Sequence, residues 1–403
     1  ATVNQSNRAR LWDVKTGKEL LISSGHRSVV LALLFSRDGK SLISSAGDRT
    51  IRVWDLSTFR ERRQIKSENT YFVALETDGK SLRAMGRNRR AYRWDLKTWK
   101  QEELQKGTLL QPSNASRTSD RRWKALAQPA SVWILKVKQE KPTLKIPVSN
   151  VKCLDLSPDG HWLVTGGGRD AHALRVWEVP SGRLAFSFPR QQGRVYAVAF
   201  SPDGRLLASG GADRTVLLWK AEPPGFKMRK IDYSDARLTQ FWSLLLEDNP
   251  SKAYESMRHL TAAGAKTIRF LQKHLKDDAQ FQSKVNQWID DLANDDFAKR
   301  DAAFRELKKL GTRAGQTLLK RSKSAKELQM RRQIDQLLAL LKEKVVPLEK
   351  GIASGGELRQ LRIISVLSRI ATKEARALLK KLAKEAASLR CAEEAQAALK
   401  RLR

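Results

Sequence analysis

The chain has 403 residues, of which 77 are Lys or Arg and 43 are Asp or Glu, a formal net charge of +34. Two cysteines far apart in sequence exclude a disulfide framework and a cysteine metal site, and no apolar stretch is long enough to span a bilayer. Residues 1–225 hold 39 basic and 21 acidic side chains (+18) and residues 226–403 hold 38 and 22 (+16), so the excess is no tail; unless an anion neutralises it, such charge repels itself, which points to nucleic acid, an acidic protein assembly or an anionic polymer.

In chain order, residues Arg8 to Asp13 read as a third strand whose two predecessors are absent. From there tryptophan recurs at Trp12, Trp54, Trp94, Trp133, Trp177 and Trp219, with successive gaps of 42, 40, 39, 44 and 42. A period near forty marks stacked four-stranded β-blades. Upstream of four of these tryptophans stand Asp-Gly turns, Asp38-Gly39, Asp78-Gly79, Asp159-Gly160 and Asp203-Gly204, each joining two short alternating runs, which is a hairpin signal. The third strand then closes on the Trp, as in Thr50 to Asp55, and a fourth follows a short polar loop.

After Pro223-Pro224-Gly225 the alternation stops and helical periodicity begins. Ser234-Asp235 can cap a helix through Phe241, Trp242 and Leu245; Pro250 suits a first turn, and Gly264, Gly311 and Gly351 read as stops. Phe297, Ala303, Phe304, Leu307 and Leu310 fall at helical spacing, and a further pair runs from Glu357 to Ile370 and Thr372 to Ala386. About ten helices joined by short turns are expected, with Phe270, Phe281, Trp288, Phe297 and Phe304 in the core.

The tryptophan period and its turns resemble the WD-repeat β-propeller family over residues 1–222. That family's Gly-His, second-strand Ser or Thr, turn Asp and Trp form one hydrogen-bonded network, and His26, Ser44, Asp48 and Trp54 match it in full, with Ser209, Asp213 and Trp219 matching in part. Asn88 replaces the Asp before Trp94, Gln191 stands near where a His is expected, and Ile134 follows Trp133 where Asp is expected. The expected fold is multidomain β plus α, a propeller of about five full blades and a half blade over residues 1–222, a linker over 223–235, and an all-α region over 236–403 similar to HEAT or armadillo arrays. The family most often has seven blades, so the first strands look incomplete and sequence upstream is expected to close the ring. The whole order resembles large bacterial WD-repeat proteins of planctomycete type, which implies a domain order and no activity.

Arg49, Arg89, Arg169 and Arg214 recur in corresponding turns and are expected to ring one mouth of the propeller, with Arg87 and Arg90 beside them. The bland reading is that a basic residue after the turn Asp is family consensus on a solvated face. Arg60, Arg62 and Arg63 fall on an outer strand; in the helical region Lys320, Arg321, Lys323, Arg331 and Arg332 are dense enough to matter, although such residues usually form the wet face of amphipathic helices. Sparse aromatic interleaving disfavours base-specific single-strand recognition.

No phosphate loop, nucleophile elbow or His-Glu-x-x-His occurs, and His161, His172, His259 and His274 lack ligand spacing, so neither cofactor nor metal is expected. The leading expectation is a non-enzymatic, strongly basic scaffold or adaptor that docks acidic protein partners in a multi-subunit complex. The alternative is a protein binding RNA or DNA backbone, and an enzyme acting on DNA through the helical region ranks well below. The compartment stays open, with cytoplasm favoured and a secretion signal left open because the first strands read as incomplete.

Overall fold

A computed structural model describes residues 25–67, 72–88, 90–104, 115–118, 122–137, 139, 141–167, 174–188, 193–223, 231–247, 249–310, 317–318, 321–322, 328–340, 353, 355–385 and 388–402, with backbone alone at 117, 276–282, 328 and 385. Its contacts divide the chain into two compact units, Ala1–Lys227 and Met228–Arg403. The half blade read at Arg8 to Asp13 lies outside the described residues.

The first unit is a β-propeller with five antiparallel sheets among the described residues, in each of which sequence-consecutive strands pair. The first sheet holds β1 (Val30–Phe35), β2 (Ser41–Ala46), β3 (Thr50–Asp55) and β4 (Glu61–Lys66); the second β5 (Phe72–Thr77), β6 (Ser81–Gly86), β7 (Ala91–Asp95) and β8 (Gln101–Glu103). The third holds β9 (Ala115–Arg117), β10 (Trp123–Ala127), β11 (Ser131–Lys136) and β12 (Leu144–Pro147); the fourth β13 (Val151–Leu156), β14 (Trp162–Gly167), β15 (Leu174–Glu178) and β16 (Arg183–Phe188). The fifth has β17 (Val195–Phe200), β18 (Leu206–Gly211) and β19 (Val216–Lys220) among the described residues. Every residue of β2 is buried, because both faces of a blade's second strand are covered by neighbouring blades.

The Asp-Gly turns work as their chemistry requires. Ser36 Oγ and the Lys40 amide donate to Asp38 Oδ1 at 2.6 and 3.0 Å, and Gly39 takes a φ of +68° that a side chain would strain. The fourth and fifth sheets repeat the device with Ser157-Asp159 and Ser201-Asp203.

Among the described residues the inner strands pack in the order β5, β1, β17, β13, β9, so the first and fifth sheets meet directly. They share one core of Val30, Leu33, Phe35, Ala197, Ala199 and Leu218. Small residues on the second strands permit this approach. A Cβ on Gly210 would stand 2.6 Å from Val30 Cγ1 and one on Gly166 would stand 2.8 Å from Val195 Cγ1; at the equivalent place Ser45 donates to the Phe72 carbonyl at 2.9 Å. Ala127 is the third sheet's equivalent, and Met85 the second's. Only Met85 is long, and the second and third sheets are the two ends of the packed arc.

One expectation fails in the third sheet. Trp133 does not occupy the position of Trp54: β10 pairs Lys124 with Leu135 as β2 pairs Leu42 with Trp54, and Val137 N–H bonds Arg122 O as Leu56 N–H bonds Lys40 O. Leu135, 2% exposed, is the true equivalent, while Trp133, half-buried, takes the place that the buried Arg52 holds in the first sheet. A shorter β10–β11 hairpin, closed by Gln128 N–H to Ser131 O at 2.8 Å, shifts where the aromatic lands.

The second unit contains, among the described residues, eight helices: α1 (Asp235–Leu244), α2 (Pro250–Ala263), α3 (Ala265–Asp291), α4 (Phe297–Leu310), α5 (Leu328–Leu340), α6 (Gly355–Ile370), α7 (Lys373–Glu385) and α8 (Leu389–Arg401). Asn249 Oδ1 caps α2 by accepting from Ser251 and Lys252 N–H at 3.0 and 3.4 Å, with Pro250 behind it. Ser234 stands at the start of α1 but makes no side-chain cap, and Gly264 ends α2 at a φ of +52°. Gly311 and Gly351 lie outside the described residues.

The helices do not contact their sequence neighbours alone. α2 packs on α6, and the fully buried Arg362 donates to the carbonyls of Leu245 and Glu247 at 2.7 and 2.9 Å, supplying donors at the end of α1 from a helix more than a hundred residues on. A stack that touches only nearest neighbours lacks such closure. Phe297, expected in the core, is 73% exposed: it opens α4 ahead of the packed turns, and Arg300 lies over its ring at 5.7 Å. Phe270 is 6% exposed, Trp288 and Phe304 flank the α3–α4–α5 core, and the Phe281 side chain lies outside the described set.

Candidate functional site

The first sheet carries one continuous polar chain through its interior. Trp54 Nε1–H donates to Ser44 Oγ at 2.8 Å, Ser44 Oγ lies 2.7 Å from His26 Nε2, and His26 Nδ1 lies 3.1 Å from Asp48 Oδ2. One direction satisfies every group: Ser44 accepts from Trp54 and donates to Nε2, leaving Nδ1–H for the carboxylate. Asp48 also accepts from Arg27 N–H at 2.8 Å and from Thr50 Oγ at 2.7 Å. Burial pushes the Asp48 carboxyl up, but the hydrogen bond from His26, with these donors, holds it well below the usual carboxylate range. His26 and Ser44 are fully buried, so the chain ties strands together and offers no reactive atom.

Elsewhere the network is abbreviated. Trp219 donates to Ser209 at 2.8 Å and Trp177 to Thr165 at 3.0 Å, and Asp213 Oδ1 accepts from Thr215 N–H at 3.1 Å. In the second sheet Ala84 replaces Ser44 by register, and Asn88 Oδ1 accepts from Arg90 N–H at 3.1 Å.

Of the arginines expected at one mouth, Arg49 and Arg214 occupy equivalent positions, each directly after the turn Asp and each with a φ of +65°. Arg49 is exposed and Arg214 half-buried. Arg89 and Arg169 lie outside the described residues. Arg87 and Arg90 are exposed in the β6–β7 turn, where Arg90 lies 3.4 Å from Glu103 and so is partly neutralised. In the helical unit Arg331 and Arg332 are exposed on α5, opposite its buried Ile334 and Leu337, whereas Arg321 pairs with Asp290; Lys320 and Lys323 lie outside the described set.

Two buried acids escape a reading by motif. Asp155 on β13 joins three blades: its Oδ1 accepts from Ser116 Oγ on β9 at 2.6 Å and from Leu156 N–H at 3.0 Å, and its Oδ2 accepts from Phe200 N–H on β17 at 2.7 Å. Burial nevertheless pushes this carboxyl up to about 6. Glu178, fully buried, lies 3.2 Å from His161 Nε2 and accepts from Ser181 Oγ at 2.6 Å. An isolated Asp in an alternating strand has no spacing signature. Among the described residues no group of His, Cys, Asp or Glu has metal-site geometry, and no helix is long and apolar enough to cross a membrane.

Three stretches match the WD domain, G-beta repeat family: residues 17–55, 140–178 and 182–220. They end with the third strands of the first, fourth and fifth sheets, and β5 to β11 fall between the matches. The chain is 26% identical over 212 residues to transcription initiation factor TFIID subunit 5 of Caenorhabditis elegans, covering 53% of this chain and 26% of that protein. It is 27% identical over 220 residues to the serine-threonine kinase receptor-associated protein of Gallus gallus (54% and 51%), and 28% over 200 residues to apoptotic protease-activating factor 1 of Rattus norvegicus (46% and 16%). The chain thus spans between about one sixth and one half of these relatives' lengths. It carries WD40 repeats arranged as propeller blades, followed by a helical region.

Proposed function

We propose that this chain is a non-enzymatic, strongly basic scaffold that docks acidic protein surfaces within a larger assembly. The observation that carries the reading is the distribution of charge: +18 and +16 in the two halves, on a WD40 propeller whose polar interior ties strands together. WD40 propellers are interaction platforms as a class, and two relatives are named as a subunit of a transcription initiation factor and as a receptor-associated protein. Arg49, Arg214, Arg331 and Arg332 are the described surface cations that such a partner would meet. In this reading the chain belongs with the large bacterial WD-repeat proteins of planctomycete type, the helical unit serving as a second docking module.

The net charge of +34 also favours a second reading, contact with an RNA or DNA backbone, whose mark is a steep loss of affinity with salt. A native pull-down divided into nuclease-treated and untreated halves separates the two. Protein partners should persist after nuclease; partners recovered only with intact nucleic acid would replace the scaffold reading by the second.

A further inference from the structure

Between the first and second sheets, at the end bearing the β1–β2 and β5–β6 turns, lies an open cleft of about 660 Å³. Its deeper wall is apolar, from Ile43, Val53 and Leu96, and its rim carries Arg37, Arg62 and Arg63, with Trp99 from the β7–β8 turn. Successive side chains on a regular strand point to opposite faces. Here Val53 pairs with Arg63 and Trp54 with Glu61, so Arg62 is the extra residue of a bulge, and both arginines line the cleft.

The same bulge in the fourth sheet holds Ala185 and Phe186, 6% and 9% exposed, at the places of Arg62 and Arg63. An apolar pair therefore fits this groove, and the first sheet has two exposed guanidinium groups instead. In the second sheet β8 runs without a bulge, and Glu102, opposite Arg93 as Arg63 is opposite Val53, lies 3.0 Å from Arg93. Arg37, Arg62 and Arg63 have no carboxylate partner among the described residues. The nearby acids are engaged: Glu61 by Arg52 at 2.6 Å, and Asp38 by its own turn. Trp99 has a φ of +58°, where the fourth sheet places Gly182 at +65°, a conformation that a bulky residue adopts only under constraint. Its ring lies 4.8 Å from the Arg63 guanidinium, which occupies a face that a nucleobase would otherwise stack on.

We propose that this cleft captures an acidic peptide segment: an apolar side chain enters against Ile43, Val53 and Leu96 while flanking Asp and Glu carboxylates pair with Arg37, Arg62 and Arg63. The inference rests on the acidic-docking reading above and names where one partner segment sits.

The test is fluorescence polarisation with the full chain and labelled synthetic peptides. The probes carry a leucine flanked by Asp and Glu, the same leucine flanked by phosphoserine, and a leucine flanked by lysine; an unlabelled single-stranded DNA oligonucleotide serves as competitor. Arg62→Ser combined with Arg63→Ser, both exposed, should leave the thermal melt unchanged and weaken the acidic probes at least about tenfold. Replacing the leucine by serine should weaken them several-fold, and Arg205→Ser, on the fifth sheet, should change nothing. Binding of the phosphoserine probe alone, with none of the carboxylate probe, would overturn the carboxylate assignment. If acidic probes bind the wild-type chain but the cleft variant binds them equally well, the cleft is wrong while acidic docking stands. If the acidic probe binds no better than its lysine counterpart, both fall. Displacement by the oligonucleotide at concentrations equal to the acidic peptide would also overturn the assignment.

Discussion

Asp48 shows how a single turn residue holds a blade. It is the common acceptor for His26, the Thr50 hydroxyl and amide, and the Arg27 amide, so Asp48→Ala leaves four donors without their acceptor and should lower stability by about 1–3 kcal/mol in denaturant titration. Because the folded carboxyl is held below its ordinary value, its contribution is complete above the unfolded range and disappears as pH falls through the folded value. Wild type and variant should therefore converge in strong acid. Asp155 has the opposite sign. Its folded value, raised from 3.8 to about 6, means that the folded state holds the proton more tightly, so stability is greatest below pH 4 and declines as pH rises through 6. The full span amounts to about 3 kcal/mol. Melting curves between pH 4 and 8 should show this decline in wild type and not in Asp155→Asn, which lies lower at every pH because its amide cannot accept from Phe200 N–H. Equal slopes in the two proteins would show that Asp155 does not titrate in this range.

At the scale of elements, the seams between blades depend on one position of the second strand. Ser45, Ala127, Gly166 and Gly210 are small and let the next inner strand close on them, whereas Met85 stands where the arc of sheets opens. Gly210→Val places its Cβ and both methyls where Val30 already stands, only 2.6 Å from the position a Cβ would take. Overpacking of this kind costs about 1–3 kcal/mol, and the loss should be visible in chemical denaturation of the propeller unit. Val30→Ala in the same chain should recover part of it; if Gly210→Val unfolds at the wild-type midpoint, the first and fifth sheets do not meet at this seam.

At the scale of the whole molecule, the +18 and +16 of two architectures that share no element suggest a composite surface among anionic neighbours. A tether with one site needs basic charge in only one half. Residues 1–225 and 226–403 expressed apart should each bind the captured partner weakly, and the joined chain should bind at least about 10²-fold more tightly through effective concentration. Titration of each fragment against that partner decides the matter, and full affinity in either fragment alone would assign the whole site to it.

The amino-acid sequence by itself determined the blade period, the Asp-Gly turns and the change to helices after residue 225, because each is written in local residue chemistry: positive-φ glycines, a self-bonding Asp, and alternation giving way to helical spacing. The resemblance to WD-repeat proteins also pointed to His26, Ser44, Asp48 and Trp54, which the structure joins in one hydrogen-bonded chain. Periodicity alone misread Trp133, since one shortened hairpin moves an aromatic off the phase that Leu135 keeps. Asp155, the Arg362 carbonyl contacts and the cleft of Arg62, Arg63 and Trp99 depended on the tertiary structure. Each joins residues from separate blades or from helices more than a hundred positions apart, and a bulge that turns two adjacent side chains to one side has no signature in composition or spacing.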